Sequence, residues 1–174
     1  MIRRIDIRRK PGQIAHKGLF SFNNKTIECS LGKTGITTKK REGDGATPIG
    51  RYKILYGFFR KNHNKRIQTA LEMIPIEANS GWCDAPTHNN YNQYVDLPFN
   101  ASHEKIYRDD RLYDVCLVLD YNISTRKRFA GSAIFFHLTR ADKGPTEGCI
   151  AIDPKDMDLL LSQLSQNTEL VIHG

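Results

Sequence analysis

Two residues in this sequence have the type and setting for covalent chemistry. His137 closes the apolar run Ala133-Ile134-Phe135-Phe136-His137-Leu138, and Cys149 sits in Pro145-Thr146-Glu147-Gly148-Cys149-Ile150. A thiol becomes an effective nucleophile when a nearby base takes its proton and donors await the oxyanion that its attack creates. Gly148, directly before the cysteine, removes a side chain and lets the backbone approach a reacting carbonyl closely. The Cys149 amide is then the natural oxyanion donor, with a neighbouring loop amide as its partner. Taken singly, both residues also fit a blander reading. A lone cysteine in apolar surroundings is more often a buried structural thiol, and a lone histidine a satisfied core group.

The elements that must position these residues read mostly as strands. Ile2, Ile5 and Ile7 fall on an imperfect alternation, residues 19–22 look like a second strand, and residues 25–31 alternate more cleanly. Gly43-Asp44-Gly45-Ala46-Thr47-Pro48-Ile49-Gly50 is punctuated as a loop, and residues 51–56 resume as a strand. The continuous apolar runs 115–119 and 133–138 predict buried strands. One helix is signalled: Asp153 can cap it, Pro154 suits the first helical position, Asp156 favours the first turn, and Met157, Leu160, Leu161 and Leu164 form one apolar face. Residues 169–173 close the chain as a strand. Residues 78–107 are polar, aromatic and weakly periodic, the pattern of a binding loop or lid.

Composition narrows the function classes. The 174 residues suffice for one domain spanning the chain, and no stretch approaches the roughly 20 apolar residues of a membrane helix. The first ten residues carry charge but no apolar run of signal-peptide length, so either export takes another route or a leader precedes this sequence. The net charge of +7 suits a polyanionic partner such as nucleic acid, an anionic wall polymer or a membrane surface. The basic runs at 3–10, 39–41, 60–66 and 126–128 lack the aromatic interleaving of a nucleic-acid platform, which argues against that partner. Cys29, Cys83, Cys116 and Cys149 stand far apart without a CxxC pair, against a zinc site or a dense disulfide framework. Two bridges or free thiols both remain open, and Cys116, within Val-Cys-Leu-Val-Leu, reads as inert core. His88 with His103 lacks a convincing third metal ligand; His16, His63 and His173 carry no pattern.

His137, the following loop and Thr146-Glu147-Gly148-Cys149-Ile150 resemble the signature of the L,D-transpeptidase catalytic domain, also called YkuD. Upstream, Thr47-Pro48-Ile49-Gly50 resembles that family's Thr-Pro-x-Gly segment. Lys40-Arg41-Glu42-Gly43-Asp44-Gly45, Trp82-Cys83-Asp84 and Pro145 to Cys149 are similar to a small, single-domain branch, and the resemblance runs over roughly residues 2–173. It implies a mainly β fold, a sandwich-like mixed sheet with one or two short helices. It also implies a cysteine acyltransferase that cross-links or remodels peptidoglycan stem peptides through a thioester on Cys149. His137 would be the base, oriented through the Leu138 carbonyl. Thr146 and Gly148 would shape the loop around the thiol, no cofactor or metal is needed, and carbapenem-type β-lactams would acylate Cys149.

Two departures stand out. Many relatives carry His or Lys at the position of Glu147 and Arg at that of Ala151. An acid pointing inward would oppose thiolate formation, and Arg140 is the candidate to supply the missing positive charge. Trp82, Tyr91, Asn92, His103 and Glu104 are candidate substrate contacts, with Trp82 packing on a peptide stem or sugar; the other reading has them packing on the core. Rival functions are an L,D-carboxypeptidase or endopeptidase using water, and a non-catalytic wall-binding module. The chemistry implies the cell envelope, with the cytoplasm as the alternative.

Overall fold

The computed structural model describes residues 1–62 and 67–174. His63 and most of the 60–66 basic run lie outside these described residues. Among the described residues, fourteen strands and one helix follow in chain order. They are β1 (Arg4–Arg9), β2 (Lys17–Phe22), β3 (Lys25–Ser30), β4 (Gly35–Thr37), β5 (Ala46–Pro48), β6 (Gly50–Phe59) and β7 (Met73–Pro75). After these come β8 (Ser80–Cys83), β9 (Gln93–Asp96), β10 (His103–Lys105), β11 (Val115–Leu119), β12 (Phe135–Leu138), β13 (Ile150–Ile152), α1 (Pro154–Leu161) and β14 (Glu169–Ile172).

The main sheet runs β11-β12-β13-β3-β2-β1-β14-β6-β7, and β6 also pairs with β11. That extra pairing joins the layers expected of a sandwich into one continuous mixed ring. Its interior is filled by alternate residues of the strands, among them Ile5, Ile7, Phe20, Ile54, Leu117 and Phe136, all at most 1% exposed. Phe20 stacks on Phe136 at 5.2 Å between ring centroids. The helix closes this core as its sequence signals require. Asp153 accepts the Lys155 N–H at 2.9 Å, Pro154 takes the first turn, and Met157, Leu160 and Leu161 face inward. Leu164 joins them from just beyond the helix end.

Period-two alternation gives β11 and β12 a second buried face. Val115, Leu117 and Leu119 point into the main core, while Cys116 and Val118 join Phe135, Trp82, Tyr113 and Phe58 in a separate cluster outside the ring. A three-stranded sheet, β10-β8-β9, forms around this cluster. This corrects the loop expected over 78–107. The three strands are only three or four residues long and mostly polar, so they carry no periodic signal, yet they pair in register from Ser80↔Asp96 to Cys83↔Gln93. The Gly43–Gly50 stretch is likewise not all loop: Ala46–Pro48 pairs in parallel with Gly35–Thr37, and Gly50 opens β6. Buried Thr47 ties that ladder to the next turn by accepting the Gly32 N–H at 2.9 Å.

Strands β12 and β13 are parallel neighbours. A parallel pair cannot be joined by a tight hairpin, so residues 139–149 must cross over. That crossover delivers Cys149 to the start of β13, beside the strand that carries His137. All four cysteines are buried free thiols.

Candidate active site

Registers Phe136↔Ile150 and His137↔Ala151 put the side chains of Phe135, His137, Cys149 and Ala151 on one face, that of the second cluster. His137 and Cys149 line a common cleft of about 410 Å³, and both are nearly closed off from bulk water, at 4% and 6% exposure. Ala151 lies in the same lining.

His137 Nδ1 lies 2.8 Å from the Leu138 carbonyl oxygen. A carbonyl can only accept, so Nδ1 carries the proton and Nε2 is the basic nitrogen. The ring is held at its edge by Tyr113, 5.0 Å away in a T-shaped contact. Burial pulls the imidazole down to about 4, only partly offset by the Leu138 hydrogen bond. Burial pushes the Cys149 thiol up to about 12, and the Glu104 carboxylate adds to the rise; the Phe135 N–H, Lys40 and Arg108 oppose it. At neutral pH the resting pair is therefore thiol and neutral imidazole, not thiolate and imidazolium. The thiol's own hydrogen bonds agree with that protonation. Sγ donates to the Ala133 carbonyl at 3.1 Å and accepts the Phe135 N–H at 3.3 Å.

The turn before Cys149 is built by Thr146. Its Oγ1 accepts the Gly148 N–H at 3.1 Å and donates to the Cys149 carbonyl at 2.7 Å. Its backbone is anchored to Leu31 and Lys33. Gly148 has φ 137°, and a Cβ there would lie 2.8 Å from the Ala46 carbonyl oxygen, so the position excludes a side chain on both counts.

Residues from distant parts of the chain complete the cleft. Lys40, Glu42, Asp84, Glu104, Arg108 and Arg140 give it charges of both signs. Glu104 accepts the Tyr113 hydroxyl at 2.8 Å, and its carboxyl is raised chiefly by burial. Asp84 holds one carboxylate oxygen buried without a hydrogen-bond partner among the described residues. Glu147 lines the cleft at its open side: its side chain is 71% exposed and pairs with Lys33 at 2.7 Å. Arg140 stands exposed on the rim. The cation buried by the cysteine loop is Lys40, its side chain 5% exposed and ion-paired with Asp44.

The candidate substrate contacts of the middle segment divide. Trp82, Tyr91 and Asn92 are at most 2% exposed and lie beneath the cleft wall, which corrects their expected place on its surface. They are drawn inward because every polar atom finds a partner. Asn92 Oδ1 accepts both the Trp82 indole N–H at 3.0 Å and the Ala133 N–H at 2.9 Å. Its Nδ2 donates to the carbonyls of Tyr121 and Asn122. The Tyr91 hydroxyl donates to Glu42 and accepts the Gly131 N–H, while Ser132 donates to the same Glu42 oxygen. Residues 131–133, which present the carbonyl that holds the thiol, are thus pinned from behind. His103 lies elsewhere, in a separate depression with Phe99 and Tyr107, so its expected place in the thiol's cleft is corrected too. Phe99 stands in edge contact with both His88 and His103. Lys40, Glu42, Asp84 and Arg108 were not among the expected contacts, although the first two lie in the Lys-x-Glu-Gly-Asp motif.

A cysteine and a histidine on neighbouring parallel strands of a closed mixed sheet define a class of thiol-bearing β domain. The chain matches the L,D-transpeptidase catalytic domain, YkuD, over residues 13–172, and it belongs to that family. Among curated proteins it has no significant sequence match. Solved structures similar to it include the L,D-transpeptidase Ldtfm as its avibactam carbamoyl enzyme, at 10% identity and TM-score 0.42, covering 99% of this chain and 49% of that one. Mycobacterium tuberculosis L,D-transpeptidase 1 is similar at 11% identity and TM-score 0.40, covering 98% and 62%. An L,D-transpeptidase in complex with imipenem is similar at 11% and 0.43, covering 99% and 59%. The chain thus spans about half to three-fifths of the length of these structures. Among the described residues, no helix is long and apolar enough to cross a membrane.

Proposed function

We propose that this chain is a cysteine acyltransferase of the L,D-transpeptidase type, acting on peptidoglycan stem peptides. The observation that carries the reading is the placement of Cys149 and His137 in one cleft, with His137 Nδ1 bound to the Leu138 carbonyl. In acylation the S–H turns from Ala133 to His137 Nε2, and the sulfur attacks the donor carbonyl. The sulfur–carbon bond forms, the carbonyl electron pair moves to oxygen, and the Cys149 amide receives the oxyanion. Collapse breaks the carbon–nitrogen bond, and the leaving amine takes the proton from His137. The acceptor amine of a second stem then attacks the thioester and gives its proton to His137. The sulfur departs and recovers that proton.

No metal or organic cofactor enters these steps. The cleft's mixed charges suit a peptide bearing both ammonium and carboxylate groups. Such a substrate puts the activity in the cell envelope, which fractionation of the native host would test. The same thiol is the expected site of acylation by carbapenem-type β-lactams. Incubation with a defined tetrapeptide muropeptide tests the main reading. An acyl adduct on Cys149 together with cross-linked dimers supports transfer, and trimmed monomers alone indicate water as acceptor. Full turnover by Cys149→Ala would sink both forms of the reading.

A further inference from the structure

The cysteine loop has an electrostatic gap. An oxyanion formed at Cys149 needs more than one donor. The neighbouring amide that would most simply serve, that of Gly148, is already bonded to Thr146 Oγ1 at 3.1 Å. The positions that could have carried a compensating cation do not: Ala151 has no charge, Arg140 is exposed on the rim, and Glu147 is an exposed acid paired with Lys33.

Lys40 stands in that gap. It lines the cleft, its side chain is 5% exposed, and its Nζ lies 3.4 Å from where a Cβ of Gly148 would be. The ammonium is fixed by Asp44 and by the Arg41 carbonyl at 3.1 Å. Asp44 is fixed in turn by the N–H groups of Arg41 and Ala46, at 2.7 and 2.9 Å. An ammonium has three donors, and these two acceptors leave one with no acceptor among the described residues. Lys40 is also one of the charges that favour the thiolate of Cys149.

Building on the acyltransferase reading, we propose that Lys40 is a catalytic residue: its ammonium bonds the oxyanion formed on attack by Cys149 and is the second donor beside the Cys149 amide. Gly148 then has a further purpose, because any side chain there would come between the ammonium and the reacting carbonyl. The same ammonium acts on the sulfur, alongside the charges of Glu104 and Arg108. The test must therefore separate oxygen from sulfur.

Acylation by a carbapenem creates an oxyanion, whereas alkylation by iodoacetamide displaces iodide at carbon and creates none. Both reactions of Cys149 are followed by intact-protein mass in the wild type, Lys40→Gln and Lys40→Arg. Acylation should fall ~100-fold in Lys40→Gln, the loss expected for one oxyanion donor. Its alkylation should slow only several-fold, and Lys40→Arg should regain much of the acylation. Equal rates in wild type and Lys40→Gln, or parallel losses in both reactions, would overturn the proposal. If Lys40→Gln does not fold, the folded Lys40→Arg variant carries the test, and losses of acylation and alkylation that run in parallel there would overturn the proposal equally. A wild type that forms no acyl adduct sinks the acyltransferase reading and this inference with it; a wild type that acylates while Lys40→Gln matches it sinks this inference alone.

Discussion

The Cys149 thiol donates its hydrogen bond to the Ala133 carbonyl, 3.1 Å away. Ala133 holds that carbonyl in place from an unusual backbone conformation, φ 50°, which a non-glycine residue rarely adopts. The conformation is stabilised by Asn92, whose Oδ1 accepts the Ala133 N–H and whose own φ is 58°. A buried amide thus fixes the resting direction of the thiol's proton without touching the cleft.

Asn92→Ala should therefore damage stability and activity together. It strips buried partners from the Trp82 indole and the Ala133 amide, and each orphaned donor costs about 1–3 kcal/mol. Urea denaturation should show a loss of about 3 kcal/mol, and acylation of Cys149 should slow at least ~10-fold, because a small misplacement of reacting groups is costly. Wild-type acylation by a folded Asn92→Ala variant would remove Asn92 from the positioning scheme.

His137 sets the acid side of the pH dependence. Its pKa is depressed in the folded chain, to about 4 from 6.5, so the unfolded state binds more protons between those values. Stability should fall as pH drops through that window, by up to roughly 3–4 kcal/mol at roughly 1.4 kcal/mol per pKa unit. Activity should hold from neutral pH to about 5 and fail near 4, as the base becomes protonated. In His137→Gln the denaturation midpoint should vary less over the same window.

Glu147 should be dispensable. Its pair with Lys33 is exposed, and such pairs contribute about 0–1 kcal/mol. Glu147→Gln should leave acylation within about twofold of wild type. A large gain in rate would show that this carboxylate acts on the thiol after all.

Gly148→Ala should be severe. The added methyl meets the Ala46 carbonyl at 2.8 Å in a φ of 137°, and strained backbone of this kind costs of order 1–3 kcal/mol. Thermal melting should drop by several degrees and acyl adducts should be lost. The melting curve of the double variant Gly148→Ala, Cys149→Ala would show whether that strain belongs to the backbone alone.

How much of this was legible in the sequence depended on what carried the signal. Most ring strands and the helix announced themselves because alternation and capping are local: Ile5 and Ile7, the 115–119 run, Asp153-Pro154; the three-residue β13 was too short to do so. The β8–β10 sheet did not, since its strands are short and polar, and only pairing with one another defines them. In the site, His137, Thr146, Gly148 and Cys149 lie close together along the chain and could be read as one unit. Lys40, Glu42, Asp84 and Arg108 reach the cleft only through the topology, from segments with no local reason to meet. Trp82, Tyr91 and Asn92 misled for a related reason. Polar and aromatic residues in a polar stretch read as surface unless the hydrogen bonds that permit their burial are visible, and those partners lie ten to forty-nine positions away.

In the proposed reaction Cys149 is the acyl-accepting nucleophile and His137 is its base. The most direct test is intact-protein mass after mixing with a tetrapeptide muropeptide, comparing wild type, Cys149→Ala and His137→Gln. A thioester adduct and cross-linked product are expected in the wild type, neither in Cys149→Ala, and adduct formation slowed at least ~100-fold in His137→Gln. Cross-linked product from Cys149→Ala at the wild-type rate would contradict it.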